Sequence, residues 1–218
     1  MRFSIITLFP DMVRSYTEDS LLARAISRGT IAVDFVNPRD YTDDIHHKAD
    51  DTPYGGGPGM VLKAEPILRA VGALKPSNEG ERRKIIIMAP RGKQFTNAIA
   101  KRWQMKYDHL VFIAGRYEGV DARIKKVLKA EEISIGPYVL SGGELPALVL
   151  LEAVARQLPG VLGDAASLEE ARFGIGVPAY TRPDVVVWEE RSLRVPKVLL
   201  SGNHAKISAW RSKHKKEK

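Results

Sequence analysis

Short β-branched runs alternate with amphipathic stretches along most of this chain, and that alternation limits the possible folds more than any other feature. Phe3–Phe9, Ile31–Val36, Lys84–Ala89, Leu110–Ala114 and Glu132–Gly136 read as strands. Met12–Arg28, Ala64–Leu74, Asn97–Lys106 and Val120–Lys129 read as helices between or beside them. Strand and helix in alternation predict an α/β layer with a mainly parallel sheet, because parallel neighbours need long crossovers that are usually helical. The run "IIIM", residues 85–88, is apolar enough for a central strand covered on both faces. A length of 218 residues allows one or two domains with a sizeable core.

The stretch "LPALVLLEAVARQLPG" is apolar nearly all round and predicts a buried helix. Ser141, three residues before Glu144, matches a capping box, while Pro146 allows a start a couple of residues later. Arg156 is the anomaly in this helix. Glu152, one turn earlier, offers an i,i+4 ion pair, the reading that pattern alone favours. An arginine directed into a site that develops negative charge is the functional alternative. After residue 158 glycine and proline accumulate, so 159–183 reads as a linker and Asp184–Lys218 as a small segment. A short helix is expected there, around Ala205–Lys213.

Three glycine-bearing turns follow strands: "APRG" at Ala89–Gly92, "GRYEGVD" at Gly115–Asp121 and "SIGPYVLSGGELP" at Ser134–Pro146. The carboxyl ends of parallel strands are where α/β proteins place ligands, so all three can converge on one crevice. A further glycine-rich stretch, "PYGGGPGM", puts four glycines and two prolines into residues 53–60 and closes a long, aspartate-rich loop from Asn37. It lacks the Lys and Ser/Thr of a P-loop and the spacing of a dinucleotide fingerprint. Glycines also let a backbone approach a flat ligand such as a base.

Other chemistries are disfavoured. With no cysteine, the chain has no disulfide, thiol nucleophile or cysteine-bound zinc, as suits a reducing cytoplasm. The histidines show no metal spacing, and there is no GxSxG. The N-terminus lacks the pattern of a signal peptide, and no run of about 20 apolar residues would span a membrane. The net charge is +8, and six Lys or Arg against one Glu follow from Lys206 onward, which suggests a polyanionic partner.

Taken together, "PYGGGPGM", "GRYEGVD", "SIGPYVLSGGELPA", "PGVLG", "YTRP" and "LLSGNHA" resemble the bacterial tRNA (guanine-N1-)-methyltransferases, the TrmD family. The resemblance covers nearly the whole chain, from "ITLFPDM" to "NHAKISAWR". It implies a SPOUT-type α/β fold with a deep trefoil knot. It further implies S-adenosyl-L-methionine as cofactor, a cytoplasmic location and a homodimer whose sites draw on both subunits. The implied substrate is the anticodon arm of tRNA, methylated on N1 of guanosine 37. Met88, Pro90, Gly115, Tyr117, Ile135, Gly136, Pro137, Tyr138, Val139, Leu140, Gly142 and Gly143 resemble the cofactor pocket. Asp50, Pro58, Gly59 and Met60 resemble the part that receives the base, and Glu118 a carboxylate associated with magnesium. Arg156 aligns with the family's catalytic arginine, which reverses the preference for an ion pair.

The chain departs from the family pattern twice. The usual acid, two residues before the linker Phe173, is replaced by Ala171, which cannot accept a proton. Glu170 is therefore the expected base, with Glu169 as its alternate. Second, the segment after "YTRP" is shorter than the family's helical C-terminal domain. Both departures motivate a rival reading, a weak or inactive tRNA-binding homologue that keeps the cofactor pocket. A SPOUT enzyme acting on another RNA is the third.

Overall fold

Successive residues of the strands alternate between two separate cores, as a pleated sheet covered on both faces requires. Phe3, Ile5, Ile86, Met88, Leu110 and Phe112 point to one core, and Ile6, Ile87, Val111 and Ile113 to the other. The computed structural model describes residues 1–163, 168 and 176–214. They fall into two compact units, Met1–Leu162 and Gly163–Lys218.

In the first unit, β1 (Arg2–Ile6), β2 (Ala32–Val36), β5 (Arg83–Gln94), β6 (His109–Ile113) and β7 (Glu131–Ser134) form one sheet. The order is β2-β1-β6-β5-β7 and every pairing is parallel. On one face lie α1 (Pro10–Thr17), α2 (Ser20–Ser27), α4 (Asn97–Lys106) and α6 (Glu144–Ala155), packed with Val13, Leu22, Trp103 and Leu151. The other face carries α3 (Ala64–Gly72) and α5 (Arg123–Leu128), through Ile67, Val71 and Ile124. Each fully buried side chain of this size contributes about 1.5–3 kcal/mol. A two-residue ribbon, β3 (Asp50–Asp51) with β4 (Val61–Leu62), sits outside the sheet.

Several boundaries differ from the sequence reading. The single helix expected over Met12–Arg28 is two, because Ser20 at φ 55 breaks the run and Asp19 caps the second piece. Expected as a turn after its strand, "APRG" instead lies within β5. Met88 and Lys93 both register with Ile133, so the intervening residues bulge and the strand resumes to Gln94. Gly92 is obligatory there: a Cβ on it would stand 2.5 Å from the backbone of Glu132.

His109, fully buried, joins Ser4 (2.8 Å at Nε2) and Glu81 (3.0 Å at Nδ1). Burial pushes the imidazole below its ordinary pKa, against the pull of Glu81. Burial works to raise Glu81, but hydrogen bonds from Ser77, His109 and Arg83 outweigh it and hold that carboxyl at about 2. The order Ser–His–Glu is that of a nucleophilic triad, yet Ser4 is buried in the sheet and the group lies toward the strands' amino ends. Its place is structural.

The second unit holds a hairpin, β8 (Val185–Trp188) with β9 (Arg191–Arg194), then α7 (Lys197–Leu200) and α8 (His204–His214). Trp210 stacks on His214 at 4.1 Å and meets Tyr180 edge-on at 6.2 Å. A groove of about 830 Å³ runs past Tyr180, Arg182, Leu199, Trp210 and Arg211. Among the described residues no helix is long and apolar enough to cross a membrane.

Candidate active site

The bulge of β5 and the carboxyl ends of β6 and β7 open into a cleft of about 240 Å³. Met88, Ala89 and Pro90 come from the bulge of β5, Gly115–Gly119 from the turn after β6, and Ile133–Ile135 and Tyr138–Gly143 from β7 and the loop beyond it. All the residues expected to hold the cofactor line this cleft except Gly136 and Pro137. Those two make the turn behind it, where Ser134 Oγ bonds Gly136 and the Tyr138 ring folds back over the glycine. A Cβ at Gly136 would stand 2.3 Å from that ring.

Two loops close on one another at the cleft's base. Gly143 N–H donates to Gly115 O at 2.8 Å, and a Cβ at Gly143 would lie 2.7 Å from Ala114 Cα. Gly143→Ala should therefore force the loops apart and cost about 1–3 kcal/mol, the usual toll of overpacking. The check is a urea titration in which the midpoint falls while the slope is kept; an unchanged midpoint would contradict this packing.

The glycine-rich stretch adjoins the same turn. Glu118 N–H donates to Met60 O at 3.0 Å, and Leu62 N–H to Gly119 O at 3.0 Å. Gly59 has φ +89, and a Cβ on it would approach Glu118 Oε1 to 2.7 Å. Pro58–Met60 are thus held beside Glu118 on the cleft's rim, while Tyr54 stands fully exposed farther along. Asp50 is half-buried on β3 and registers with Leu62, two residues beyond Met60. Glu118 is one exposed carboxylate, and among the described residues no group of three His, Asp or Glu could hold a metal.

Arg156 does not join these residues. It caps the C-terminus of α6, whereas the cleft lies at the N-terminus of that helix, and 12 residues span about 18 Å. The i,i+4 ion pair with Glu152, which pattern alone favours, is not formed; the Glu152 carboxylate takes the Tyr16 hydroxyl instead. Among the described residues Arg156 has no carboxylate partner. Glu170, its alternate Glu169 and Ala171 lie outside the described residues.

α6 also departs from the expected buried helix. Leu145 (61%) and Val149 (47%) are exposed, in line with Glu152 and Arg156 at helical spacing. Phe9 (39%), Met12 (52%) and Tyr16 (50%) add to this apolar face from the start of α1, which packs beside α6.

Two site residues escaped the sequence reading. The expected capping box is absent: Gly143 is the N-cap, with no side-chain bond, and the helix begins at Glu144 itself. Pro146 is accommodated in the first turn, where its missing N–H has no partner to lose. Glu144, buried, accepts from Thr7 Oγ1 at 2.8 Å and faces Arg116 Nε across 2.9 Å. Arg116 stood in plain sight inside "GRYEGVD", but nothing local in the sequence pairs it with a residue 28 positions on.

A family model described as tRNA (Guanine-1)-methyltransferase TrmD matches residues 1–218. A Carboxydothermus hydrogenoformans protein named tRNA (guanine-N(1)-)-methyltransferase is 47% identical over 216 residues, 98% of this chain and 82% of that one. A protein of the same name from Pseudomonas fluorescens is 48% identical over 214 residues, covering 97% and 83% of the two chains. Another, from Staphylococcus epidermidis, is 45% identical over 218 residues, covering 99% and 86%. Matched along its whole length and at this identity, the chain belongs to the TrmD family of tRNA (guanine-1)-methyltransferases.

Proposed function

We propose that this protein methylates N1 of guanosine 37 in tRNA, taking the methyl group from S-adenosyl-L-methionine. The observation that carries the reading is the cleft: the β5 bulge and the loops after β6 and β7 meet there, in a chain matched end to end by this family. The lining suits the cofactor. Met88, Ile135, Val139 and Leu140 offer apolar surface, Tyr117 and Tyr138 offer rings, and the glycine turns present backbone groups without side chains in the way. The bound sulfonium supplies an electrophilic methyl group.

The guanine supplies the difficulty. Its N1 carries a proton and is a poor nucleophile until a base removes it. In the proposed mechanism a carboxylate, assigned to Glu170, takes that proton as the N1 lone pair attacks the methyl carbon. A bound sulfonium would give up that methyl group with the carbon–sulfur electron pair returning to sulfur, which balances the transfer. The negative charge that develops on the purine as its proton departs spreads toward O6, where the guanidinium of Arg156 stabilises it until the methyl group is bonded. Pro58–Met60, with Gly59 held against Glu118, form the lip on which an unstacked guanine lies, with Asp50 beside it. Magnesium is commonly held by one or two carboxylates plus phosphate, so Glu118 would fit an outer contact.

The placement of Arg156 supports a homodimer. Arg156 stands at the far end of α6, about 18 Å of helix from the end that borders the cleft, and it shares a stripe with the exposed Leu145 and Val149. A two-fold pairing of α6 with its antiparallel mate would cover the apolar face and carry each Arg156 to the opposite cleft. The tRNA arm is assigned partly to the second unit, where Tyr180, Trp210 and Arg182 line the groove and α8 adds Lys206 and Lys213. The family's knot and cytoplasmic location belong to the same reading.

Methyl transfer to tRNA transcripts bearing guanosine or adenosine at position 37, with the product mapped, tests this. Transfer to the guanosine transcript alone is expected. Cofactor binding without transfer to either would favour an inactive tRNA-binding homologue, the reading motivated by Ala171.

A further inference from the structure

Arg116 and Glu144 are charged side chains enclosed at the back of the cleft, with side-chain exposures of 16% and 2%. Enclosing an ion pair costs more than its attraction returns unless the remaining hydrogen-bonding capacity is used. Here it is only partly used. Arg116 Nε and Glu144 Oε2 stand 2.9 Å apart, yet neither makes an aligned hydrogen bond among the described residues. A pair kept in that condition calls for an explanation other than stability.

Its connections supply one. Glu144 opens α6 and is fixed from β1 by the Thr7 hydroxyl. Arg116 lies in the turn after β6, forms an antiparallel bridge with Gly142, and reaches Ser141 O at 3.5 Å. Its guanidinium also covers the Phe9 ring at 4.6 Å and reaches Met12 Sδ at 3.2 Å. Gly142 sits in the middle of this contact: a Cβ there would stand 2.4 Å from both Arg116 Nε and Glu144 Oε2. Only a residue without a side chain lets the two charges meet across it.

We propose that Arg116 and Glu144 are positioning residues, a buried brace that sets the distance between the turn 115–119 and the loop 141–143 and so holds the cleft at cofactor width. The brace also ties that width to the exposed face of α1 through Phe9 and Met12. Arg116 Nε and Glu144 Oε2 are close but not aligned, and a small movement of the 141–143 loop would bring the Nε–H into line with its acceptor. Neither residue needs to touch the cofactor. The inference rests on the cofactor reading given above.

The experiment is calorimetric titration of S-adenosylhomocysteine into wild type, Arg116→Lys, Glu144→Gln and the double variant, well below each melting temperature. Wild type should bind, and each single variant should bind roughly tenfold to hundredfold more weakly, the scale of a misplaced loop. Because the pair acts as one device, the double variant should be no worse than the poorer single. A merely structural pair would lower melting temperatures while the folded protein bound normally, and that result overturns the proposal. Additive losses overturn it as well. Should Glu144→Gln fail to fold, Arg116→Lys keeps the charge but loses the fork, and unchanged affinity in that variant alone is sufficient refutation. Failure of wild type to bind would remove the cofactor reading itself, and the brace with it.

Discussion

Arg156→Ala should lower single-turnover methyl transfer by roughly two to three orders of magnitude, the usual loss when a donor to a developing oxyanion is removed. S-adenosylhomocysteine should bind it as it binds wild type, because Arg156 lies outside the cleft lining. A structural role as helix cap would give the opposite pattern, a loss of about 0.3–1 kcal/mol in stability with transfer unaffected. The position of the residue adds a sharper expectation. If each Arg156 serves its partner's cleft, Arg156→Ala and a variant with an impaired cleft, such as Gly143→Ala carrying Arg116→Ala, should complement each other. Random exchange makes half the dimers mixed, each with one intact site, so activity should return to about a quarter of wild type. No recovery after verified exchange would place Arg156 in service of its own chain.

How much of this could be read before the structure depends on the range of the interaction. The five sheet strands and α4 were legible, because period-two and helical patterns are written locally; α4 spans Asn97–Lys106 as expected. The bulge in β5 was not, since it is a matter of register with Ile133, some forty residues away in the chain. Ser141 and Glu144 had the right spacing for a capping box, yet a buried hydroxyl from Thr7 and the charge of Arg116 took the glutamate. The apolar circumference of α6 suggested full burial. The exposed Leu145 and Val149 show instead that part of it faces outward in the single chain, a distinction no periodicity contains. Most of the residues lining the cleft are legible through motif resemblance, whose glycines mark close approaches such as Gly143 against Ala114.

Glu170→Gln should lower transfer by roughly a hundredfold to ten-thousandfold, the range for loss of a general base. Glutamine keeps the size and one oxygen but cannot take the N1 proton, so affinity for cofactor and tRNA should be unchanged. The pH profile separates this role from a contact. In wild type the rate should rise with pH and level off once the carboxylate is ionised. In the variant, where ionisation of the guanine must proceed unaided, it should keep rising. Ala171 makes this the most exposed of the assignments, because the family's usual position holds a methyl group. Glu169→Gln is the discriminating control. Loss of turnover there with Glu170→Gln active would transfer the role by one residue. Full activity in both would mean that the proton leaves by another group, and the mechanism would then lack its base.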